Sequence, residues 1–410
     1  MLEIDHIHDL FSQRKPAHSL PQGLYLDAAA YEFDLRAIFE RNWVMIGFEC
    51  ELPSSGSYLA AQVGRSQIVV IRDKTGEIRG FHNSCRHRGA QICPTGTGRA
   101  PLLVCPYHQW SYDLTGTLKR APGMDETFEL NGHGLRPIHV ELVAGCVYVC
   151  LAELAPDFNT FRTALEPAIA PFNLKDAKIA HVVELDEDAN WKLVMENGRE
   201  CHHCNACHPE LKSAFPIEIG DNDFYDSAES VALSARLQAL GLDVPTTIAD
   251  WFQISRFPFN EGRTSYSVTG GPLVKVPLID VGEGNLGSLR WAIEPNNFCH
   301  VTADSAFMFN CNPTGPLKTK VTAKWLVHKD AVEGVDYDVE KLVHMWDMTN
   351  RQDKDLAENN QRGVNSIGYV PGPYSKLNEP FVINFVDWYC RTAMAYIESE
   401  KMGCPIAADA

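Results

Sequence analysis

The chain has 410 residues, of which 45% are hydrophobic and 22% charged, values ordinary for a globular protein with one large and one smaller domain. Fifty-three acidic against 36 basic residues give a net charge of -17, which argues against nucleic acid and anionic membranes as partners. The polar amino terminus and the lack of any run of about 18 apolar residues predict a soluble cytoplasmic protein without an export signal or a membrane span.

Helical and β-rich segments follow one another in the first part of the chain. Residues 31–44 place apolar side chains at helical spacing, and Pro53 and Gly56 end that pattern. Residues 57–150 consist of short β-rich segments separated by turn residues, which predicts a small all-β module. Residues 156–180 are predicted to be a partly helical connection.

The rest of the chain mixes both element types. Residues 190–209 form a helix candidate that ends near Pro209, residues 210–330 contain strands and loops, and residues 336–362 again have helical spacing. This part is therefore predicted to be an α+β domain.

Two pairs of cysteine and histidine lie in the predicted all-β module. Cys85 and His87 form the first pair, and Cys105 and His108 form the second after 17 intervening residues. Two thiolates and two neutral imidazoles are the ligands of a Rieske 2Fe-2S cluster. A structural zinc ion is the alternative, but short zinc sites usually group cysteines apart from histidines. The 13 cysteines of this chain fit metal ligation better than a disulfide framework.

The segments CRHRG and CPYHQW resemble the cluster loops of Rieske oxygenase large subunits, and the similarity runs from about residue 20 to about residue 390. The resemblance implies an all-β Rieske module followed by a helix-grip (Bet v 1/START-like) catalytic domain with a central antiparallel sheet. We therefore predict an N-terminal segment that packs on the catalytic domain, a Rieske domain, and a catalytic domain with a mononuclear iron, at residues 1–44, 45–155 and 156–410.

A second group of metal-binding residue types lies between Glu200 and Pro209. Spacing alone permits a zinc knuckle whose ligands are Cys201, Cys204, Cys207 and His208. The other interpretation combines His203 and His208 with a distant carboxylate in the facial triad of a non-haem iron site. On a regular helix, side chains five positions apart, such as His203 and His208, point about 140° away from each other. This interpretation therefore requires a break in the helix between them. Pro209 favours one because it disfavours helical geometry at His208.

The segment ENGRECHHCNACHP resembles the ENxxECYHCxxxHP motif of Rieske oxygenases that act on quaternary ammonium compounds. This resemblance implies that His203 and His208 bind iron. The alternative for Cys201, Cys204 and Cys207 is that they are packing residues on the helix. The resemblance also implies that Glu200 bridges His203 and the cluster ligand His108 of a neighbouring subunit. His202 stands where relatives usually have Tyr, and it adds a rival ligand.

A carboxylate for the third ligand position is found in the segment QDKDLAENNQ, residues 352–361. It resembles the family's carboxylate helix, in which an Asp precedes a Glu by five positions. Asp353 fits this pattern and Asp355 is the second choice, the alternative for either being a solvated acid on an amphipathic helix.

Three carboxy-terminal segments resemble the glycine betaine monooxygenase and proline betaine demethylase branch of the family, namely KWLVHKDAVEGVDYDVEKL, TNRQDKDLAENNQRGVNS and YVPGPYS. The implied activity is hydroxylation of an N-methyl group of a betaine with dioxygen, followed by release of formaldehyde. The implied cofactors are the cluster and a mononuclear Fe(II), with electrons from NADH delivered by a separate flavin and ferredoxin-type reductase. The implied assembly is a head-to-tail homotrimer in which each cluster serves the next subunit's iron.

Three other functions stay open at this stage. They are an oxygenase that acts on an aromatic ring or another uncharged substrate, a Rieske electron carrier, and a zinc-stabilised binding module. Residues 203–208 and Asp353 argue against the carrier, which needs no second iron.

Aromatic faces are the best ligands for a quaternary ammonium group. We expect two or three aromatic residues of the catalytic domain to line the substrate site, and the candidates include Trp251, Phe252, Phe257, Phe259, Tyr266, Trp291, Phe307 and Phe309.

Overall fold

The computed structural model describes residues 2–216 and 227–402. The α-helices are α1 (Leu2–Ser12), α2 (Gln22–Leu26), α3 (Ala28–Asp34), α4 (Asn159–Ile169), α5 (Trp191–Asn197), α6 (Cys204–Cys207), α7 (Pro209–Lys212), α8 (Ala228–Ala239), α9 (Val339–Val364) and α10 (Pro380–Met402). No helix in these two ranges is both long and apolar enough to cross a bilayer.

The amino-terminal half forms two antiparallel sheets. The larger has seven strands in the order β1-β10-β9-β4-β3-β2-β5, and the smaller has the order β6-β7-β8. The strands are β1 (Val44–Phe48), β2 (Ser57–Val63), β3 (Ser66–Arg72), β4 (Ile78–His82), β5 (Gly96–Arg99), β6 (Leu103–Val104), β7 (Ser111–Tyr112), β8 (Leu118–Arg120), β9 (Pro137–Val143) and β10 (Cys146–Cys150). The small sheet and the end of β4 carry the two Cys-His loops.

The carboxy-terminal half is built on a seven-stranded antiparallel sheet of order β11-β17-β16-β15-β14-β13-β12. Its strands are β11 (Lys178–Glu187), β12 (Thr247–Ile248), β13 (Phe252–Phe257), β14 (Ser288–Ile293), β15 (Asn297–Val301), β16 (Ala306–Gly315) and β17 (Lys318–Val327). The predicted order of an all-β module and an α+β domain with a central antiparallel sheet is confirmed.

Both faces of the second sheet are buried, each in a different core. Successive side chains of a strand point to opposite faces and therefore belong to different cores. In β16, Phe307 and Phe309 join the core that contains α5, α9 and α10. Met308 joins the opposite core, formed with α4 and with β1 and β10 of the first sheet. Only the face with Phe307 is turned towards the helices that carry the predicted iron ligands.

The helix expected over residues 190–209 is shorter than predicted. Helix α5 ends at Asn197, because Gly198 caps it and the chain then turns. Arg199 fixes the turn through two hydrogen bonds to the buried carboxylate of Glu294, at 2.9 and 2.7 Å. The helical spacing over 31–44 is likewise divided, since α3 continues into a single π-helical turn over Leu35–Phe39.

A buried polar cluster joins the amino-terminal segment to α5 and α10. Asp34 accepts hydrogen bonds from Trp191 Nε1 at 2.9 Å and from the hydroxyl of Tyr389 at 2.8 Å. The ammonium group of Lys192 forms an ion pair with the same carboxylate, and both side chains are fully buried. Every strong donor in this cluster therefore has a charged acceptor.

Candidate metal centres

The two Cys-His loops of the first half have the same backbone closure. In the first loop the amide of Gly89 donates to the carbonyl of Cys85 at 2.8 Å, and in the second the amide of Gln109 donates to the carbonyl of Cys105 at 3.0 Å. Gly89 and Gln109 both have a positive φ, of 81° and 62°, which turns the chain sharply after each histidine. Because the two loops share this backbone geometry, their two thiols and two imidazoles lie next to each other.

The two imidazole nitrogens that would face a cluster are buried and lack partners in the part of the chain that the structure describes. Nδ1 of His87 and Nδ1 of His108 have no hydrogen-bond partner within the described ranges. The two rings are 4.6 Å apart at their centroids, and the hydroxyl of Tyr112 lies 3.4 Å from the thiol of Cys85. Buried nitrogens without partners are rare in folded proteins, so these residues fit a bound 2Fe-2S cluster.

Three predicted iron ligands meet in the second half. Nε2 of His203 lies 3.0 Å from Nε2 of His208 and 3.2 Å from Oδ1 of Asp353. The third side of the triangle, from His208 Nε2 to Asp353 Oδ1, is 2.9 Å. Adjacent ligand atoms at about 2.1 Å from an octahedral metal ion are separated by about 3 Å, so this donor set fits a metal ion on one face.

The local chain path explains why both histidines reach this place. His203 is the N-cap of the short helix α6, and His208 stands between α6 and α7 with φ -122° and ψ 73°, outside helical geometry. Pro209 begins α7, and a proline disfavours helical geometry in the residue before it. The break that the facial-triad interpretation requires is therefore present.

Asp353 reaches the site from the inward face of α9. The buried residues of this helix recur at helical spacing, and Thr349, Asn350 and Ala357 are among them. Asp353 falls on the same stripe, whereas Asp355 is exposed to solvent.

Both histidines are oriented through their second ring nitrogen. Nδ1 of His203 is hydrogen bonded to the carboxylate of Glu200, which also accepts from the amide of His203 at 3.1 Å. Nδ1 of His208 lies 2.8 Å from Oε1 of Gln352, and Nε2 of Gln352 donates to Glu210 at 2.9 Å. Such partners fix the tautomer and the orientation of metal-binding histidines. Gln352 and Glu210 were not singled out from the sequence, although Gln352 is the neighbour of Asp353.

The electrostatics of the group suit a cation. Burial alone would raise the pKa of Asp353, but hydrogen bonds from His203 and His208 lower it below its ordinary value. Burial lowers the pKa of His203, and the carboxylates of Asp353 and Glu200 outweigh this effect and raise it to about 10. A metal ion that binds Nε2 takes the place of that proton.

The zinc-knuckle interpretation finds less support in the geometry. Within the described ranges the compact group of metal-binding residues consists of His203, Cys204 and His208, without Cys201 and Cys207. Hydrogen bonding with Cys201, burial and the nearby carboxylates raise the pKa of Cys204 well above its ordinary value. The side chain of His202 is exposed to solvent.

Two protein-family models match the chain. One, described as the Rieske [2Fe-2S] domain, matches residues 42–138, and the other, the ring hydroxylating alpha subunit (catalytic domain), matches residues 174–394. The chain belongs to the Rieske non-haem iron oxygenases. It is an oxidoreductase with a 2Fe-2S domain and a non-haem iron domain, and the predicted cofactors are confirmed at this level.

Two of three curated relatives cover almost the whole length of this oxygenase, and the third covers about half of it. It is 42% identical to the glycine betaine monooxygenase oxygenase subunit of Chromohalobacter salexigens, over 97% of this chain and 90% of the relative. The corresponding subunit of Pseudomonas aeruginosa is 41% identical over 96% of this chain and 93% of the relative. The carnitine monooxygenase oxygenase subunit of Acinetobacter pittii is 31% identical over 49% of this chain and 56% of the relative.

Solved structures share the fold of this oxygenase. A quaternary ammonium Rieske monooxygenase superposes with a TM-score of 0.73 at 22% identity, over 94% of this chain and 98% of that chain. Naphthalene 1,2-dioxygenase from Rhodococcus superposes with a TM-score of 0.67 at 18% identity, over 96% and 98%. These similarities concern the fold and do not separate the two substrate classes.

A cavity lined by aromatic residues lies between the second sheet and α9 of this oxygenase. Its volume is about 10 Å³, and its ring-bearing residues are Tyr266, His300, Phe307, Trp325 and Trp346. The ring of Trp346 stacks on Phe307 with centroids 4.5 Å apart. Trp346 precedes Asp353 by seven residues in α9, two helical turns, so both side chains are on the same side of the helix.

The predicted aromatic candidates divide between the two faces of the sheet. Tyr266 and Phe307 line the cavity. Phe252 and Trp291 belong to the opposite core, packed with α4. Trp325, Trp346 and His300 were missed, although the spacing of Trp346 from Asp353 was a usable signal.

Proposed function

We propose that this chain is the oxygenase component of a monooxygenase that hydroxylates an N-methyl group of a small betaine, of the glycine betaine or proline betaine type. The observation that carries the proposal is the aromatic cavity on the Asp353 face of α9. Each cation-π contact with a ring of such a cavity contributes roughly 0.5 to 2 kcal/mol. The 42% identity to a glycine betaine monooxygenase subunit supports the same substrate class.

In this proposal the residues have separate tasks. Cys85, His87, Cys105 and His108 hold the 2Fe-2S cluster, and His203, His208 and Asp353 hold the mononuclear iron. When bound, the two centres supply electron relay and dioxygen activation. The chain itself orients His203 through Glu200 and His208 through Gln352.

The overall reaction balances with one dioxygen, two electrons and two protons per methyl group. One oxygen atom enters the methyl C–H bond and the other leaves as water. The resulting carbinolamine loses formaldehyde and a proton and leaves the amine with one methyl group fewer. A separate flavin and ferredoxin-type reductase supplies the electrons from NADH.

We also infer a head-to-tail homotrimer in which Glu200 connects His203 with His108 of the neighbouring subunit. The exposure of the cluster edge supports this arrangement. Tyr107 is 61% exposed and its ring lies 3.9 Å from that of His108. An apolar ring beside a cluster ligand suits a protein contact.

Turnover of the reconstituted enzyme tests the substrate class. The iron-loaded protein, a compatible reductase and NADH are supplied with glycine betaine, proline betaine or 3,3-dimethylbutanoate, which has the shape of glycine betaine without the positive charge. We expect formaldehyde and oxygen uptake in equal amounts with a betaine. With 3,3-dimethylbutanoate we expect no oxygen uptake above the substrate-free rate and no hydroxylated product. Oxidation of aromatic compounds without formaldehyde from any betaine would instead favour a ring-hydroxylating oxygenase.

A further inference from the structure

Two cysteines stand on either side of the proposed iron ligand His203 in the chain. Cys201 and Cys204 have the spacing C-x-x-C, which occurs in thiol pairs that are reversibly oxidised. Both are free thiols in this structure. The proposed iron site uses neither of them.

The backbone holds the two cysteines at a separation that suits a disulfide. The amide of Cys204 donates to the carbonyl of Cys201 at 3.1 Å, which closes a turn of four residues. The first and last Cα atoms of such a turn are less than about 7 Å apart, and Cα atoms joined by a disulfide are usually separated by about 4.4 to 6.8 Å. A bond between the two sulfurs therefore requires no large movement of the chain.

The side chains of the two cysteines are also in contact. The thiol of Cys204 is hydrogen bonded to the thiol of Cys201. Cys204 is only 4% exposed, whereas Cys201 is half-buried and packs against the same hydrophobic core. A small oxidant therefore reaches Cys201 more easily, and Cys204 stands behind it as a second thiol.

The thiol pair lies beside the proposed iron. The sulfur of Cys204 and a ring nitrogen of each of His203 and His208 lie within 4.8 Å of one another. Dioxygen that takes up two electrons and two protons at this iron without oxidising a substrate leaves as hydrogen peroxide. Such peroxide arises next to the iron ligands and next to the two thiols.

We propose that Cys201 and Cys204 are a dithiol that reduces hydrogen peroxide formed at the mononuclear iron and thereby protects the iron ligands. The sulfur of Cys201 attacks one peroxide oxygen, the O–O bond breaks, and the proton of this thiol leaves with the other oxygen as water. The sulfur of Cys204 then displaces the hydroxyl of the sulfenic acid, a second water leaves with its proton, and the S–S bond forms. The two thiols lose two electrons and the peroxide gains two.

The role of the pair does not depend on the substrate class. It requires iron at His203, His208 and Asp353, as in the proposed function, and a dithiol reductant restores the two thiols by disulfide exchange. Cys207 also follows Cys204 after two residues, but the hydrogen bond of the Cys204 thiol is with Cys201. Cys207 is therefore a matched control for the pair.

Peroxide treatment of the iron-loaded protein tests the pair. Trypsin releases residues 200–212 as one peptide, which contains Cys201, Cys204 and Cys207. After one equivalent of hydrogen peroxide and alkylation, we expect this peptide to lose two hydrogen atoms and to carry one alkyl group, on Cys207. Dithiothreitol should restore three alkylated cysteines. Alkylation of all three cysteines after the peroxide has been consumed, or a bond between Cys204 and Cys207, would overturn the proposal.

Serine variants assign the two steps to individual thiols. Cys204→Ser should stop at the sulfenic acid of Cys201, which dimedone traps, and Cys201→Ser should lose the disulfide. Cys207→Ser should form the disulfide in the wild-type yield. A disulfide within residues 200–212 of Cys201→Ser would contradict the assignment.

Protection of the iron ligands is measured in the same peptide. During turnover with NADH and a reductase but without substrate, Cys201→Ser is expected to gain oxygen on His203 or His208 and to lose mononuclear iron sooner than Cys207→Ser. Equal histidine oxidation in the two variants would overturn the protective role. A protein that holds no mononuclear iron would contradict the proposed function, whereas added peroxide still decides whether the two thiols form a disulfide.

Discussion

Nε2 of His208 and Oδ1 of Asp353 lie 2.9 Å apart although one belongs to a short broken segment before α7 and the other to the long helix α9. The contact joins the segment of residues 200–212 to the helix that also carries Trp346. The position of the proposed iron and that of the aromatic cavity are therefore fixed by the same helix.

Replacement of Asp353 tests the iron site. Asp353→Ala removes the anionic ligand, and we expect loss of the mononuclear iron and of turnover while the cluster stays reducible. Metal and sulfide analysis should change from about three irons and two sulfides per chain to about two of each. Asp355→Ala is the control, because Asp355 is exposed, and it should keep all three irons. Full activity of Asp353→Ala would reject the triad.

Replacement of His108 tests the cluster site. Its Nδ1 is buried and has no hydrogen-bond partner among the residues that the structure describes, so His108→Ala should abolish the visible absorption of the cluster. His133→Ala is the control, since His133 packs on Phe128 with ring centroids 4.6 Å apart and is not in either loop. An unchanged spectrum in His108→Ala would show that the cluster is held by other residues.

Glu200→Gln tests the proposed bridge. The substitution keeps the size of the side chain but removes the negative charge beside Nδ1 of His203. We expect cluster oxidation in a single turnover to slow by about 10- to 100-fold with both metals still bound. Glu184→Gln, on an exposed part of β11, should have the wild-type rate. A wild-type rate in Glu200→Gln would argue against a bridge.

Asp34→Ala tests the buried polar cluster. It leaves Lys192 as a buried charge without its ion-pair partner, and we expect the free energy of unfolding to fall by about 3 to 5 kcal/mol. Glu184→Ala removes an exposed pair with Lys320 at 3.1 Å and should cost less than about 1 kcal/mol. Urea unfolding of both variants checks the difference, and equal stability would contradict the assignment.

Glu196 predicts a pH dependence of stability. Burial raises its pKa from 4.5 to about 7, against the effects of Tyr25 and Tyr374, which donate to it, and of Lys192. The folded protein therefore holds this proton more tightly than the unfolded chain does. The stabilising contribution of protonated Glu196 is fully present below pH 4.5 and is lost as the pH rises to about 7.

Glu196→Gln should remove this contribution. As the pH rises from about 4.5 to about 7, the melting temperature of the wild type is expected to fall relative to that of Glu196→Gln. A constant difference over that interval would show that Glu196 does not titrate there.

Much of the fold and of the site could be predicted from the sequence. The ligand types of the two loops and the break before Pro209 depend on covalent geometry and on donor chemistry, which are local properties. The predicted end of α5, near Pro209, was more than two helical turns too late, since the helix ends at Asn197. The turn that follows is fixed by the buried pair of Arg199 and Glu294, which are far apart in the chain. Local periodicity contains no information about such a pair.

By itself the sequence determined the donor set, the order of an all-β module and an α+β domain, and the family, since these depend on residue types and short spacings. Only the tertiary structure decided which aromatic residues line the cavity, because the side of the sheet that faces the helices depends on how distant elements pack. Phe307 and Met308 are adjacent in β16, yet they lie in different cores, and the indoles of Trp325 and Trp346 share one cavity only because β17 and α9 meet there.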